Sequence, residues 1–543
     1  MSEVLDQPTG LALPDTELVG SRLRSYLPAI LAVAGSLLMV GLRVKLGGGR
    51  FISDGALMML ALACYLTAAV FHLMNLYAPS EMAQRVGRWT ATAGVFFNLS
   101  SWGVRWIAAH DRELAILTKN GYGPEQMPWF FRYIPFANLY DLSLAFAFGA
   151  GITTLLIAHR KSFRSLGAVT LPMASLILLL ARFIGDEFID LPPILDSYWR
   201  PIHVGIASLS YGVALVCFAV AVLYLLKDGV KTETMAIWSS IFALAVLATV
   251  SKYSVFTSLT YSASTFLQTA TGGRRPIPLR VDIPWVGPML ALAGLLLVGT
   301  IIAFGIYLSK NDLKARAWGH RLLKLSLVVQ AAAIAFLVSQ IKTLTDIGPR
   351  IQQKLAADPL GYERLGRWMA EQEGMKPEQI AALPVGRLEE VARQFVAQSG
   401  SKLFLSLNAN PVELAALITA FAATLFVIIF SFRTERLRAS LPSREKLDSL
   451  MYKTASVAFA MLAMLLITGA VWANESWGRY WGWDSKETGA LVAWLTYAAF
   501  LHTRISRGWS GRSSAYFALI GFLLVIFTYL GVSYLLPGLH SYA

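Results

Sequence analysis

The tryptophan-rich stretch near the C-terminal end holds the densest group of chemically distinctive side chains. It reads Trp472-Ala-Asn-Glu-Ser-Trp477-Gly-Arg-Tyr-Trp481-Gly-Trp483-Asp484-Ser-Lys-Glu487-Thr. Aromatic belts at membrane interfaces account for only about one or two tryptophans per helix end. Clustered indoles separated by Gly478 and Gly482 offer flat apolar faces beside fixed charges. This pattern predicts a site for a large planar ligand that bears carboxylates, and a porphyrin is such a ligand.

Two of the seven histidines are candidates for coordinating a porphyrin iron. His203 begins an apolar segment, and His540 follows the last apolar segment of the chain. A single histidine at a helix end is usually a solvated or capping residue. Two histidines on the same face as the tryptophan stretch instead indicate axial ligands that approach the iron from opposite sides.

The composition shows which elements must carry these residues. Hydrophobic residues make up 56% of the 543 residues, charged residues make up 15%, and mean hydropathy is +0.55. Such a chain requires lipid as its solvent, and a spanning helix needs about 20 mostly apolar residues. The sequence therefore predicts an all-α polytopic membrane protein with about thirteen transmembrane helices. The apolar windows are 25–42, 55–77, 90–108, 140–158, 167–184, 203–226, 234–256, 284–308, 321–341, 411–432, 453–473, 487–503 and 513–536.

The loops rich in Lys and Arg predict the orientation of the chain. They alternate along the sequence, at 159–164, 227–231, 310–324, 433–453 and 504–512. Placing them in the cytoplasm puts the N-terminus inside and the C-terminus outside, and only Arg43, Lys45 and Arg50 disagree. The net charge of +14 then reflects topology and not nucleic-acid binding. Four segments share the outer face, namely 109–139, 185–202, 474–486 and the tail after Pro537.

Four regions are predicted along the chain. They are a cytoplasmic tail at 1–24, an N-terminal membrane part at 25–230, inserted helices at 231–450 and a C-terminal membrane part at 451–543. The tail contains acids and prolines but no apolar core, unlike a cleaved signal peptide. The inserted region includes an outer loop, 342–410, with balanced charge and apolar residues at helical spacing. This loop predicts a small extracytoplasmic helical insertion that acts as a cap or a partner-docking domain.

The two cysteines, Cys64 and Cys217, both lie inside apolar segments, and neither begins a Cys-x-x-Cys pair. Both are therefore interpreted as small buried hydrophobic residues. Thiol-disulfide chemistry by this chain is not expected. Any thiol reductant is expected to come from a separate thiol-reducing protein.

With these motifs in place, the sequence resembles the CcsA/ResC family of cytochrome c synthases, within a wider heme-handling group that shares a tryptophan-rich WWD loop. The resemblance covers roughly residues 90–230 and 450–543. Its strongest part runs from Trp477 to Thr488, followed by Leu501-His502-Thr-Arg504 and the terminal Leu539-His540-Ser-Tyr542-Ala. Upstream, Arg105-Trp106, Pro135-Phe136-Ala-Asn138-Leu-Tyr140-Asp141 and the segment 193–211 resemble other hallmark stretches of that family.

The resemblance implies the roles of particular residues. His203 and His540 correspond to the family's two external heme ligands, and His502 corresponds to its membrane-embedded histidine. Trp477, Trp481, Trp483 and Asp484 correspond to its heme-binding loop. His72 is a weaker candidate for an additional ligand at the cytoplasmic side, because a structural role explains a histidine there better.

The implied function is heme delivery and covalent attachment to c-type apocytochromes on the outer face of a bacterial cytoplasmic membrane. The chain would then form part of a holocytochrome c synthase, with heme b as its cofactor and no separate catalytic acid or base. Implied partners are a ResB-type membrane protein, apocytochromes carrying Cys-x-x-Cys-His, and thiol-reducing proteins, but no nucleic acid. One departure from the family is an insertion near 234–440, which carries about four additional crossings.

Two alternatives remain open. The first is a heme-delivery subunit of the other cytochrome c maturation system, which shares the tryptophan loop. The second is a different class of membrane protein, either a secondary transporter or a heme/quinone electron-transfer subunit. A transporter is expected to have repeated halves with broken helices, and no internal repeat is found here. An electron-transfer subunit is expected to hold permanent hemes between histidines on facing helices, whereas the best candidates here lie at the outer surface.

Overall fold

Long helices dominate the computed structural model, which describes residues 16–126, 130–188, 193–250, 254–268, 274–406, 411–532 and Leu536. The helices in the first half are α1 Thr16–Leu46, α2 Asp54–Tyr77, α3 Glu81–Lys119, α4 Leu139–Ala158, α5 Gly167–Ile184, α6 Trp199–Lys227, α7 Thr232–Thr249 and α8 Ser254–Thr257. Those in the second half are α9 Val286–Lys310, α10 Leu313–Thr343, α11 Ile347–Ala357, α12 Gly361–Gln372, α13 Pro377–Ala381, α14 Val385–Ser399, α15 Pro411–Ser431, α16 Thr434–Ser440, α17 Arg444–Trp477, α18 Ser485–Arg507 and α19 Arg512–Ile526. A π-helical turn, Phe527–Gly531, continues α19.

A helix occupies each of the thirteen apolar windows, and eleven helices of the described ranges are long and apolar enough to cross a membrane. The predicted all-α polytopic membrane fold is thereby confirmed, and the chain is an integral membrane protein. The other two windows lie in α3 and α18, which are not among those eleven helices. Their crossing of the membrane stays a prediction.

Three strands form an element that the apolar pattern did not predict. They are β1 Ser262–Gln268, β2 Arg274–Asp282 and β3 Leu403–Leu405, arranged antiparallel in the order β2-β1-β3. Pro276 and Pro278 lie in β2, an edge strand, where a residue without an N–H costs no ladder bond on the outer side. The window 234–256 also overran its helix, because α7 ends at Thr249.

The chain divides into two compact units. Unit 1 contains residues 1–182, 186–228 and 437–543, and unit 2 contains residues 183–185 and 229–436. Unit 1 therefore combines the helices α1 to α6 with α17, α18 and α19. Unit 2 contains α7 to α15 and the sheet.

Helix α6 is the centre of unit 1 and packs against α4, α17 and α19. Its apolar window is 78% buried, the highest value among the eleven spans. Gly149 and Gly212 allow the backbones of α4 and α6 to meet, since a Cβ on Gly212 would lie 2.5 Å from the carbonyl carbon of Gly149. Small residues at such crossings are a common device for close helix packing in membranes.

A buried ion-pair network joins α2, α3 and α4 at one end of unit 1. Arg105 is 0% exposed and donates to the carboxylates of Asp141 and Asp54, the latter at 3.2 Å. It also donates to the carbonyl of Asp186 at 2.7 Å. Asp141 in turn accepts from the backbone N–H of Ala137 at 2.9 Å, which fixes the segment before α4. Removing one partner of such a buried pair leaves an uncompensated charge, so Arg105 stabilises this end of the unit.

Four of the eleven spans, α7, α9, α10 and α15, pack together in unit 2. The predicted outer loop 342–410 contains α11 to α14 and β3, so its helical character is confirmed. Its apolar residues share one core with the hairpin that β1 and β2 form. This core includes Ile351, Leu365 and Val396 of the loop alongside Ala263 and Ile277 of the hairpin. The loop is therefore not an independent cap, because its removal would expose the core face of the sheet.

Candidate functional site

A cavity opens in unit 1 where the predicted outer ends of five elements meet. It has a volume of about 1110 Å³, including its open mouth. The walls come from the start of α4, the start of α6, the end of α17, the start of α18 and the π-helical turn. The lining includes Phe136, Asn138, Arg200, His203, Tyr211, Gly469, Trp472, Trp477, Tyr480, Trp481, Lys486, Glu487, Thr528 and Tyr529. An apolar concave site with a few polar groups is the usual form of a ligand-binding pocket.

His203 lies on the first turns of α6 and faces α17. Its Nδ1 is 3.1 Å from the carbonyl oxygen of Leu465 and 3.4 Å from Oγ1 of Thr468. A carbonyl can only accept, so this contact favours the tautomer in which Nδ1 carries the proton and Nε2 carries the lone pair. A hydrogen bond from one ring nitrogen to a carbonyl is the usual way in which proteins orient a metal-binding histidine. The local geometry therefore suits His203 as a ligand.

Gly469 allows the close approach of α17 to the imidazole. A Cβ at this position would lie 2.7 Å from Cε1 of His203, closer than a carbon contact permits. The sequence resemblance implies heme as the ligand, and on that expectation Gly469→Ala should displace the imidazole and weaken heme binding about tenfold, as changes in the support of a metal ligand do. Alanine should meanwhile stabilise the helix by about 0.5–1 kcal/mol. Heme titration and thermal unfolding of the purified variant measure both effects.

The matched control for this prediction is Gly305→Ala on α9, where a Cβ would meet nothing within 4 Å. This variant should gain helix stability without any change in heme affinity. Unchanged heme affinity in Gly469→Ala would contradict the idea that the approach of α17 positions His203.

The predicted tryptophans are placed unequally. Trp477 and Trp481 line the cavity, together with Trp472, whose ring centroid is 5.6 Å from that of His203. Trp483 does not line it and is 72% exposed, with its ring edge-to-face against Trp481 at 5.8 Å. Its φ of 57° is unusual for an aromatic residue, so the loop holds a strained backbone at this point.

The carboxylates of Asp484 and Glu487 hold the tryptophan loop in place through hydrogen bonds to its backbone, and Glu487 also belongs to the cavity lining. The Asp484 carboxylate caps α18 by accepting from the backbone N–H of Lys486 at 3.1 Å. The Glu487 carboxylate reaches back to the N–H groups of Gly482 at 2.8 Å and Asp484 at 3.2 Å. Together they form a capping box, which satisfies backbone donors that the first turn of a helix leaves without partners.

The capping role makes Asp484→Asn a mild substitution and Asp484→Ala a severe one. Asparagine retains an acceptor at the N-cap, so Asp484→Asn should retain part of the heme binding while it impairs heme transfer. Alanine removes the cap and should cost about 1 kcal/mol of stability. Thermal unfolding and heme occupancy of the two purified variants test this ranking. Equal heme loss in both would favour a direct electrostatic role for the carboxylate over capping.

The cavity lining does not include His502 or His72. His502 is near the far end of α18 and is exposed, with Nδ1 3.4 Å from Oγ of Ser506. Sixteen residues of helix separate it from Lys486, or about 24 Å of helix axis, so the structure does not bring it to the cavity. His72 packs against Gly87 and Gly167, and its Nδ1 lies 3.2 Å from the carbonyl of Arg164. His540 lies outside the described residues.

Several cavity residues were not singled out as site residues from the sequence. Arg200 precedes His203 by three residues, a spacing that places both on one helix face. Lys486 lies within the tryptophan motif, and Tyr529 lies on the π-helical turn, a type of helix defect that is frequent at functional sites.

The two cysteines are unpaired; Cys217 is buried and Cys64 is half-buried.

Comparison with known proteins gives one family match. The model of the family described as "Cytochrome C assembly protein" matches residues 136–272 and 412–540. The interruption at 273–411 is narrower than the expected insertion at 234–440, since the matched segments include α7 and α15. Hydropathy alone cannot distinguish family helices from inserted ones.

Named relatives resemble only part of the chain. A cytochrome c biogenesis protein CcsA from Synechococcus sp. (strain CC9605) is 56% identical over 102 residues, which is 19% of this chain and 34% of that protein. The protein of the same name from Prochlorococcus marinus (strain MIT 9515) is 46% identical over 144 residues, or 26% of this chain and 46% of that protein. The alignments thus span less than half the length of either relative.

Proposed function

We propose that this chain, which belongs to the cytochrome c assembly protein family, binds heme b in the cavity of unit 1 and delivers it to c-type apocytochromes. Heme is then the substrate that the cavity holds for transfer. The observation that carries the proposal is the position of His203 in an aromatic cavity, with its Nδ1 directed at a carbonyl oxygen.

The lining fits a porphyrin. Trp472, Trp477 and Trp481 supply flat indole surfaces, and the aliphatic residues of α17 supply apolar contacts to the macrocycle edge. The imidazole of His203 supplies a neutral nitrogen ligand for the iron. Positively charged side chains of the same lining supply counter-charges for carboxylates. The cavity therefore offers a partner for each chemical part of a heme.

His540 is proposed as the ligand on the other side of the iron. The described part of the C-terminal segment ends at Leu536, four residues earlier, and four residues span at most about 14 Å. The π-helical turn that leads to this segment lines the cavity through Thr528 and Tyr529. The last described turn before this segment therefore belongs to the cavity wall.

The mechanism is coordination and positioning, without acid–base catalysis by the chain. Two neutral imidazoles hold the iron while the tryptophan loop shields the macrocycle. An apocytochrome then brings the thiols of its Cys-x-x-Cys-His motif to the vinyl groups, and each thiol adds across one vinyl double bond. The client's histidine replaces His203 or His540 on the iron, which releases the product. Holding both reactants in register supplies most of the rate gain by proximity.

The proposed location is the bacterial cytoplasmic membrane, with the N-terminus inside and the cavity facing outward. His502 lies at the opposite, cytoplasmic end in this orientation, on an exposed part of α18. It is proposed to receive heme together with a ResB-type membrane partner before transfer to the outer cavity. Separate thiol-reducing proteins keep the client cysteines reduced.

The test uses the full chain purified with and without a ResB-type partner. The preparation is expected to show the absorption spectrum of a low-spin, bis-histidine heme. It should also transfer that heme to an added, reduced apocytochrome, as seen by heme that stays bound after denaturation. A preparation that binds heme but never transfers it, even with the partner, would favour a permanent electron-transfer heme over delivery.

A further inference from the structure

Two positively charged side chains line the cavity, together with the carboxylate of Glu487 and a mostly aromatic and aliphatic wall. Arg200 lies on α6, one turn before His203, and is only 7% exposed. Its Nη2 donates to the carbonyl of Arg132 at 2.6 Å, which fixes the guanidinium. Lys486 lies on the first turn of α18 and lines the same cavity.

The carboxylates near Lys486 are engaged by the backbone. Asp484 accepts from the N–H of Lys486 itself, and Glu487 accepts from the N–H groups of Gly482 and Asp484. Within the described ranges, Lys486 forms no ion pair. Burial lowers the pKa of Lys486 to about 8, although the charge of Asp484 acts in the opposite direction. The ammonium group is therefore a half-buried charge that an anion bound in the cavity would stabilise.

We propose that Lys486 and Arg200 bind the propionate carboxylates of the heme, so that the cavity selects a porphyrin with free acid groups. This inference rests on the proposed function and names the groups that orient the substrate. A carboxylate on Lys486 or Arg200 forms a charge-assisted hydrogen bond in a water-poor setting. A neutral planar ligand such as a quinone offers no carboxylate to either side chain.

Arg200 lies three residues before His203 on α6, and this spacing restricts how the porphyrin can be oriented in the cavity. Residues three apart share a helix face, so the contact to a carboxylate and the contact to iron come from one rigid segment of α6. Lys486 acts from α18, on a different wall. Contacts to the carboxylates therefore fix the rotation of the macrocycle, and with it the direction in which the vinyl groups point.

The experiment compares heme with its dimethyl ester, which keeps the ring and the iron but lacks the negative charges. Both are titrated into the purified full-length protein, and into Lys486→Met, Arg200→Met and Lys486→Arg. The parent should bind the free acid about tenfold more tightly than the ester. Each Met variant should lose most of that preference, whereas Lys486→Arg should retain it. Arg479→Gln is the matched control, because Arg479 belongs to the same loop but is exposed and absent from the lining.

A pH series provides a second readout. Asp484 precedes Lys486 by two residues, and the titratable or charged groups that share the cavity lining with Lys486 are Glu487, Arg200, His203, Tyr211, Tyr480 and Tyr529. Since only the ammonium form attracts a carboxylate, affinity for the free acid should fall as the pH rises above about 8. That decline should vanish in Lys486→Arg and with the ester. A parent that binds acid and ester equally, with no change in the variants, would overturn the inference but leave the proposed function standing. A parent that binds neither ligand would overturn both.

Discussion

Replacing His203 with glycine is expected to lower heme affinity by more than about 100-fold, because the change removes a ligand of the iron itself. The low-spin spectrum of the purified protein should be lost together with the heme. Added imidazole should restore part of both, since it can occupy the space that the side chain leaves. The carbonyl oxygen of Leu465, which lies within hydrogen-bond distance of Nδ1 of His203 in the parent, remains and can orient the added imidazole.

His110→Gly is the matched control for this prediction. His110 lies at the same predicted outer side of unit 1, with its ring 5.2 Å from Tyr133, but it does not line the cavity. Its replacement should leave heme binding unchanged. A double variant lacking His203 and His540 that keeps an unchanged low-spin spectrum would exclude both histidines as ligands.

Substitution of the cavity tryptophans should produce a graded loss of heme. Phenylalanine at Trp477 or Trp481 keeps an aromatic face but loses contact area, and alanine removes the face. By analogy with base stacking on aromatic side chains, each stacked ring is worth about 1–3 kcal/mol, or roughly 5- to 150-fold in affinity. Heme occupancy of the purified variants, corrected for the amount of protein, measures the loss.

The exposed position of Trp483 provides an internal control for the same series. Trp483 supports Trp481 from outside the cavity, so Trp483→Ala should have a smaller effect than Trp481→Ala. If the indoles only anchored helix ends in the membrane interface, Phe variants of Trp477, Trp481 and Trp483 would all keep nearly the heme occupancy of the parent. Heme occupancy at the parent level in the variant with alanine at Trp477, Trp481 and Trp483 would contradict the proposed role of this loop.

The long helices were predictable because twenty apolar residues in succession have few other solutions in lipid. The hairpin was not, for reasons visible in its sequence. β1 contains Ser262, Ala263, Ser264 and Thr265, which are too polar and too small to register as an apolar segment. Two prolines in β2 argued against a strand. Its core is shared in part with α11, α12 and α14, which lie far away in the sequence, and such long-range packing leaves no local pattern.

The site was predictable where a residue type carries the chemistry by itself. Histidine and clustered tryptophan led to the prediction of His203, Trp477 and Trp481, which the structure brings to one cavity, while their binding of heme stays a prediction. Arg200 and Gly469 were missed because their roles depend on which helix lies opposite, and a single sequence contains no record of that contact. Trp483 belongs to the same motif but lies outside the cavity lining, and its part in heme binding stays a prediction.

Covalent heme on a reporter cytochrome tests the account most directly. The chain is co-expressed with a ResB-type partner in a bacterium that lacks its own cytochrome c assembly proteins, together with a reporter carrying Cys-x-x-Cys-His. We expect the parent to yield a reporter whose heme stays bound after denaturation. The His203→Gly variant should yield almost none of this product unless imidazole is supplied. Full covalent attachment by a stably expressed variant with alanine at His203, Trp477 and Trp481 would contradict the account.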